Sequence, residues 1–165
     1  SATSPVSGLT IRNNTCTNAS DGGFYLSEVS NSLVEGNTIY NIGGSHGIYL
    51  ANGGSDNTTL RRNVIHTITG TDAAGIHMNG DLSIGGDGLI TGAVLDGNTI
   101  YGVNFNAVSM DGVQSSTLQN NVIFGVARHA VRAFRIDGGQ GPKNLGLINN
   151  SFHKPARNFV WRISK

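Results

Sequence analysis

Apolar and polar positions repeat along this chain in one fixed order. The order is an apolar residue, two spacers, an asparagine, one spacer and a second apolar residue, as in Val34, Asn37 and Ile39. Five further copies place their asparagines at Asn14, Asn63, Asn98, Asn121 and Asn150. Successive asparagines are 23, 26, 35, 23 and 29 residues apart. Periods in this range are typical of solenoid proteins, so the sequence predicts stacked coils with insertions in particular loops.

A second apolar pattern follows each asparagine, usually after ten residues, as a pair separated by one residue. The pairs are Phe24 and Leu26, Ile48 and Leu50, Ile76 and Met78, Val108 and Met110, Val131 and Ala133, and Val160 with Arg162. Alternation over so few residues, bounded by Gly, Asn and Ser, predicts strands rather than helices. Each coil is therefore expected to contain three short strands, one around Ile48, one ending at Val34 and one from Thr38 to Tyr40. Strands of stacked coils would pair in parallel.

The repeated asparagine explains the corner between the second and third strands. An inward-pointing amide needs hydrogen-bond partners, and the equivalent asparagine one coil away supplies them. The six asparagines are thus predicted to form one internal ladder. The preceding residues are Asn13, Gly36, Arg62, Gly97, Asn120 and Asn149. All except Arg62 are types that tolerate a left-handed backbone, which indicates a tight corner.

With this repeat running from about Gly8 to Ile163, the chain resembles the right-handed parallel β-helix repeat family. Pectate lyases, polygalacturonases, alginate epimerases and various binding proteins share that fold. The resemblance implies an all-β solenoid of about six coils, as a single domain over residues 1–165. Residues 1–7 lack the strand pattern and are interpreted as a linker or an incomplete coil. Because one fold serves many functions, the function has to be argued from the outward-facing residues.

Composition narrows the classes of partner. The formal net charge is +1 and 13% of the residues are charged, which argues against nucleic acid or a membrane surface as the partner. Cys16 is the single cysteine; it aligns with Ile39 of the repeat and is predicted to be a core residue. The chain has no initiating Met and no signal peptide. It is therefore expected to be a module excised from a larger protein, and the resemblance implies that this protein is secreted.

Two columns of outward-facing residues are the candidate binding surfaces. The first lies on the first strands: Tyr25, Tyr49, His77, Ser109, Arg132 and Trp161. The second lies on the third strands: Thr17, Tyr40, His66, Tyr101, Phe124 and His153. Either column can be ordinary cross-strand stacking that stabilises a sheet. Aromatic rings also pack against the apolar faces of sugars, and the resemblance implies a polysaccharide groove along the first strands.

The sequence offers little for catalysis. Hydrolysis of a glycosidic bond needs two carboxylates at one level, whereas Glu28, Asp81 and Asp111 lie on different coils. A lyase could use Arg132 as the base and Asp111 as a calcium ligand, but calcium requires six or more oxygens. The Asp-Asp, Gly-His-Gly, Arg-Ile-Lys and Asp-Pro-His motifs of the enzymes in this family are missing.

Asp81 and Asp87 lie in the largest insertion, a glycine-rich loop from Asn79 to Gly92. Loops of this size on a regular scaffold tend to carry function. The two carboxylates, together with backbone carbonyls, are predicted to hold one calcium ion that orders the loop. No other cofactor is expected.

Three functional hypotheses follow. The first is a non-catalytic carbohydrate-binding module for a plant cell-wall polysaccharide such as xylan, covalently linked to a catalytic domain; the chain is similar to the β-helical modules attached to xylanases. Its predicted ligand-binding residues are Tyr25, Tyr49, His77, Asp111, Arg132 and Trp161. The second is a truncated or minimal polysaccharide lyase or glycoside hydrolase that uses Asp111, Arg132 and His77. The third is a purely structural spacer or adhesion segment.

Overall fold

The computed structural model describes residues 6–80, 82, 86–135, 139–153 and 161–163, with the backbone alone at positions 161 and 163. These residues form 22 short strands and no helix. None of the described segments is therefore a helix that could cross a membrane.

Three six-stranded sheets make up the walls of the solenoid. The first sheet contains Phe24–Ser27 (β4), Ile48–Ala51 (β8), Ile76–Asn79 (β11), Val108–Asp111 (β15), Val131–Phe134 (β19) and Trp161–Ile163 (β22). The second contains Thr10–Arg12 (β2), Leu33–Glu35 (β6), Thr59–Arg61 (β9), Val94–Asp96 (β13), Thr117–Gln119 (β17) and Gly146–Ile148 (β20). The third contains Thr15–Thr17 (β3), Thr38–Ile42 (β7), Val64–Ile68 (β10), Thr99–Val103 (β14), Val122–Val126 (β18) and Ser151–His153 (β21). Two small sheets pair Val6–Ser7 (β1) with Val29–Ser30 (β5), and Ile90–Thr91 (β12) with Val113–Gln114 (β16).

Every pairing is parallel and joins equivalent positions of neighbouring coils. Ile65 of β10, for example, lies between Ile39 of β7 and Ile100 of β14. The inward positions are almost fully buried, with Ile48 and Leu50 both at 0% exposure. Successive coils thus bury one continuous column of aliphatic side chains. The predicted fold class, a right-handed parallel β-helix with three strands per coil, is confirmed.

The asparagine ladder is also confirmed. The side-chain amide of each member donates to Oδ1 of the next at 2.9–3.1 Å, through Asn14, Asn37, Asn63, Asn98, Asn121 and Asn150. The backbone N–H of Asn98 also donates to Asn121 Oδ1, and Asn98 Nδ2 also donates to the carbonyl of Leu60. Each interior amide is therefore fully paired while being shielded from water.

The corner before each ladder asparagine adopts the left-handed conformation that the sequence predicted. Gly36 has a φ of 63° and Asn120 one of 56°. Arg62, whose residue type does not favour this region, has a φ of 53°. The position thus imposes its geometry on whatever residue occupies it.

The first coil is less buried than the central coils. Asn14 is exposed and Cys16 is half-buried against the aliphatic core. Cys16 lies in β3, which Asn14 directly precedes and which is the edge of the third sheet, so these side chains have a stacked neighbour on one side only. Cys16 is a core residue as expected, but at the periphery.

The predicted register of the last first-sheet strand is wrong. Trp161 pairs with Val131, and Arg162, which was expected to face inward, pairs with Arg132. Trp161 follows Asn150 by eleven residues, whereas Val131 follows Asn121 by ten. Because side chains alternate between the two faces of a strand, a shift of one residue exchanges inward and outward positions. Arg162 therefore takes the place in the outward column that was predicted for Trp161.

Candidate functional site

The outward face of the first sheet carries two parallel columns of side chains, here called the first-sheet face. Column A contains Tyr25, Tyr49, His77, Ser109, Arg132 and Arg162. Column B, two residues further along each strand, contains Ser27, Ala51, Asn79, Asp111 and Phe134. Four of the predicted ligand-binding residues thus stand in one column, and Asp111 lies beside them on the same face.

Aromatic rings form the end of the first-sheet face nearest the N-terminus. The Tyr49 and His77 rings are stacked, with centroids 5.0 Å apart and an interplanar angle of 10°. Tyr25 instead meets Tyr49 edge-on at 5.3 Å and 76°, and is 66% exposed. Tyr49 and His77 therefore cover one face of each other, whereas Tyr25 presents its ring to solvent.

A groove of about 290 Å³ lies beside these rings. It is lined by Asp21, Gly22, Gly23, Phe24, Tyr25, Ser45, His46 and Tyr49. Aromatic walls combined with a few polar groups are the usual lining of a small-molecule site.

His46 links this groove to His77 through a hydrogen-bond chain. The backbone N–H of Ala74 donates to His46 Nδ1 at 2.9 Å, and His46 Nε2 lies 2.8 Å from His77 Nδ1. Because the amide can only donate, His46 Nδ1 must accept, and the proton of neutral His46 sits on Nε2. His46 then donates to His77 Nδ1, which leaves the proton of His77 on its own Nε2.

Both imidazoles are held neutral. Burial lowers the pKa of His77 to about 3, with further contributions from His46 and Arg132. Burial also lowers the pKa of His46 to about 4. The tautomers set by the hydrogen-bond chain therefore persist across the neutral pH range.

Three buried polar atoms of the first-sheet face lack a hydrogen-bond partner among the described residues: His77 Nε2, Asn79 Oδ1 and Arg132 Nε. Asn79 is 9% exposed, and its Nδ2 donates to Tyr49 Oη at 3.0 Å. Unpaired buried polar groups are rare in proteins and call for an explanation. Their concentration on this one face marks it as the candidate functional site.

The far end of the face is basic. The Arg132 guanidinium lies 4.1 Å above the centroid of the Phe134 ring. Its pKa is lowered by burial and by the neighbouring charges of Arg162 and Arg128, while Asp111 acts in the opposite direction. Asp111 is 4% exposed and is the single carboxylate of the described residues in the two columns.

Other predicted site residues are not brought together there. The side chain of Trp161 and the whole of Asp81 lie outside the described residues. Asp87 is in the turn before β12, where its Oδ1 accepts a hydrogen bond from the backbone N–H of Leu89 at 2.9 Å. Among the residues that the structure describes, no three His, Cys, Asp or Glu side chains are grouped to hold a metal ion. A calcium ion at Asp81 and Asp87 stays a prediction.

Sequence analysis missed two residues of the site. Asn79 carries a readable signal, because it lies two positions after His77 and strand alternation places both on one face. His46 carries none, since it belongs to the loop that precedes β8.

The second candidate surface, on the third sheet, has a different geometry. Tyr40, His66, Tyr101 and Phe124 form an unbroken stack with centroid distances of 4.7–5.0 Å and interplanar angles of 4–10°. Within this stack the ring faces cover one another, and the edges point outward. The arrangement favours cross-strand stabilisation over packing of sugar rings.

Comparison with known proteins agrees with this architecture. Residues 2–85, half of the chain, match the family described as right handed beta helix region. No curated protein and no solved structure matches the chain. The repeat, the parallel coils and this match together show that the chain belongs to the right-handed β-helix family.

Proposed function

We propose that this domain binds a polysaccharide along the first-sheet face without cleaving it. The ligand class is a neutral or weakly charged plant cell-wall glycan such as xylan. The observation that carries the proposal is the exposed ring of Tyr25 beside a groove of about 290 Å³. His46 lines that groove and is hydrogen-bonded to His77. His77 Nε2 and Asn79 Oδ1 are buried without a partner among the described residues. The protein would be extracellular and would carry this domain next to a catalytic one.

The dimensions of the face suit a chain-like ligand. Neighbouring strands are about 4.8 Å apart, so the four strand spacings from Tyr25 to Arg132 span about 19 Å along the solenoid axis. A glycan lying parallel to this axis would meet aromatic rings at one end, amide and imidazole groups in the middle, and guanidinium groups at the other end. This sequence of surfaces matches a polymer with apolar ring faces and many hydroxyls.

Charge favours a ligand with few acidic groups. His46 and His77 are neutral, and the buried carboxylate of Asp111 offsets part of the positive charge of Arg132. Arg128 is paired with Asp72 at 3.7 Å. The arginines at the far end suit an occasional acidic substituent rather than a uniformly anionic polymer.

A second candidate function is a polysaccharide lyase. The observation in its favour is the lowered pKa of Arg132, because a lowered pKa makes the deprotonated guanidine, the form that can accept a proton, more accessible. His77 could donate a hydrogen bond to a substrate oxygen. A hydrolase is less well supported, since columns A and B contain one carboxylate among their described residues and hydrolysis needs two.

One experiment separates these functions. Calorimetry of the domain with soluble xylan, mixed-linkage glucan, galactomannan and polygalacturonate would be combined with product analysis of the same samples. Binding of a neutral glycan without products supports the proposed function. Release of unsaturated products supports the lyase. If none of the four polysaccharides binds, the proposed function is wrong.

A further inference from the structure

The unpaired buried atoms of the first-sheet face include donors and an acceptor, and two of them, a donor and an acceptor, belong to alternate residues of one strand. His77 and Asn79 are alternate residues of β11 and point to the same side of the sheet. Both side chains also contact Tyr49, His77 through ring stacking and Asn79 through its hydrogen bond to Tyr49 Oη. Arg132 Nε, the third such atom, lies two strands away beyond Ser109. His77 and Asn79 therefore form a local pair.

The hydrogen-bond chain from Ala74 through His46 makes His77 Nε2 a donor. The Ala74 N–H directs the proton of His46 to Nε2, and His46 in turn occupies the acceptor nitrogen of His77. Protonation would break this chain, but the lowered pKa of both imidazoles keeps them neutral. His46 thus acts as a positioning residue that fixes the hydrogen-bonding role of His77.

Asn79 Oδ1 is an acceptor for a similar reason. The amide nitrogen of Asn79 donates to the Tyr49 hydroxyl at 3.0 Å, so its oxygen is the atom left without a partner. One donor and one acceptor, both shielded from bulk solvent, thus belong to two side chains that contact the same tyrosine.

A hydroxyl group of a ligand, like a water molecule, can pair with a donor and an acceptor at once. It donates one hydrogen and accepts through its oxygen lone pairs. An ionised carboxylate cannot donate to Asn79, and an ammonium group cannot accept from His77. The two atoms have almost no accessible surface, so a hydroxyl that projects from a sugar ring bound above the face would reach them only when the covering side chains move aside.

We propose that His77 Nε2 and Asn79 Oδ1 form a subsite for one hydroxyl group of a neutral sugar, with His46 holding His77 in the donor tautomer. The inference rests on the proposed glycan-binding function and adds the group that is recognised. The subsite would select among neutral glycans by the position of a hydroxyl rather than by charge.

The test uses the whole domain with xylohexaose, cellohexaose and mannohexaose as probes. His77→Phe keeps an aromatic ring against Tyr49 but removes the donor, and Asn79→Leu removes the acceptor. His66→Phe is the matched control, because His66 is also a histidine stacked between neighbouring coils, on the third sheet. We expect each subsite variant to bind the preferred hexaose about tenfold or more weakly, and the control to bind as the wild type does.

Nuclear magnetic resonance of the wild type provides a readout that does not depend on the folding of a variant. Long-range proton–nitrogen correlations of the imidazoles should show the proton of His46 and of His77 on Nε2. The Nε2 resonance of His77 should then shift when the preferred hexaose is added, while that of His66 should not.

The outcomes are distinct. A hexaose that binds the wild type, without a shift at His77 and without a loss of affinity in the two variants, overturns the subsite and means that an internal water alone pairs these atoms. A proton on Nδ1 of His77 overturns it as well. If no hexaose binds the wild type, both the subsite and the glycan-binding function are wrong.

Discussion

Asn63 and Asn98 are 35 residues apart in sequence, yet Asn63 Nδ2 lies 3.0 Å from Asn98 Oδ1. Asn98 and Asn121, separated by 23 residues, have the same 3.0 Å distance. The glycine-rich insertion of the third coil therefore leaves the ladder undisturbed. The insertion begins where β11 ends, at Asn79 of the first-sheet face.

The first prediction concerns the ladder. Replacing Asn98 by Ala leaves Asn63 Nδ2 without its ladder acceptor and Asn121 Oδ1 without its ladder donor, inside the core. We expect a loss of about 1–3 kcal/mol in the free energy of unfolding, measured by chemical denaturation. Asn14→Ala, at the exposed end of the ladder, is the control and should cost less. Equal losses in the two variants would mean that burial of a ladder asparagine does not increase its contribution to stability.

The second prediction concerns a strained backbone position. Thr67 has a φ of 54° although it is β-branched, and the equivalent residues of the adjacent coils are Asn41 and Gly102. A left-handed conformation costs an ordinary residue about 1–2 kcal/mol, and Asn tolerates it better. Thr67→Asn should therefore stabilise the domain by about 1 kcal/mol. Thr38→Asn, within a regular strand, should not raise the melting temperature; if Thr67→Asn fails to raise it too, the backbone is not strained.

The third prediction concerns the binding face. Tyr25→Ala should weaken glycan binding by about 1–3 kcal/mol, the range of a hot-spot loss, because its ring is exposed. Tyr49→Ala should weaken binding as well and also free the Asn79 amide from its partner. Both would be measured by calorimetry, with the melting temperature recorded separately.

Tyr101→Ala is the matched control for these variants, since Tyr101 lies in the stack on the third sheet. It should lower stability and leave glycan affinity intact. If Tyr101→Ala abolishes binding while Tyr25→Ala and Tyr49→Ala retain it, the ligand binds the third sheet instead.

The fourth prediction concerns pH. The pKa of His77 is lowered to about 3 in the folded protein, whereas a histidine in the unfolded chain titrates near 6.5. As the pH falls below about 6.5 the unfolded chain takes up a proton that the folded protein refuses. Stability should therefore decrease, by up to about 1.4 kcal/mol per pH unit for one such histidine.

Denaturation between pH 7 and pH 5 tests this dependence. His77→Phe should make the decrease less steep, because it removes one of the two histidines, His46 and His77, whose pKa is lowered in the folded protein. A slope unchanged by His77→Phe would mean that the imidazole is charged in the folded protein.

The fifth prediction concerns calcium. If Asp81 and Asp87 bind a calcium ion, saturation at about 100 times the dissociation constant stabilises the fold by about 2.7 kcal/mol. Calcium should raise the melting temperature of the wild type and of Asp72→Asn, but not of Asp87→Asn. An unchanged melting temperature after exhaustive chelation and after calcium addition would mean that this loop does not bind calcium.

Much of this fold could be predicted because its determinants are local. One asparagine and two apolar residues specify a corner and its flanking strands, so the ladder and the sheets follow from spacing alone. Trp161 was misplaced because one additional residue between Asn150 and the next strand exchanges the two faces. The spacing of the asparagines and apolar residues in the sequence does not reveal such a shift.

The site was less predictable than the fold. Column A could be read from alternation, but its chemistry depends on the hydrogen bond between His46 and His77, whose partners are 31 residues apart and lie on different coils. The side chain of His46 comes from a loop, and loop paths are not encoded in the repeat. Burial, which neutralises both imidazoles, is likewise a property of the folded molecule.

The identical register of successive coils gives the domain a unit of length. Asn98 and Asn121 delimit a coil of 23 residues that pairs with its neighbours in all three sheets. Duplicating such a coil would lengthen the solenoid by one strand spacing, about 4.8 Å, and would move every group above it by the same step. The molecule can thus be used as a molecular ruler, in which the separation between the aromatic and basic ends of its face is adjusted in fixed increments.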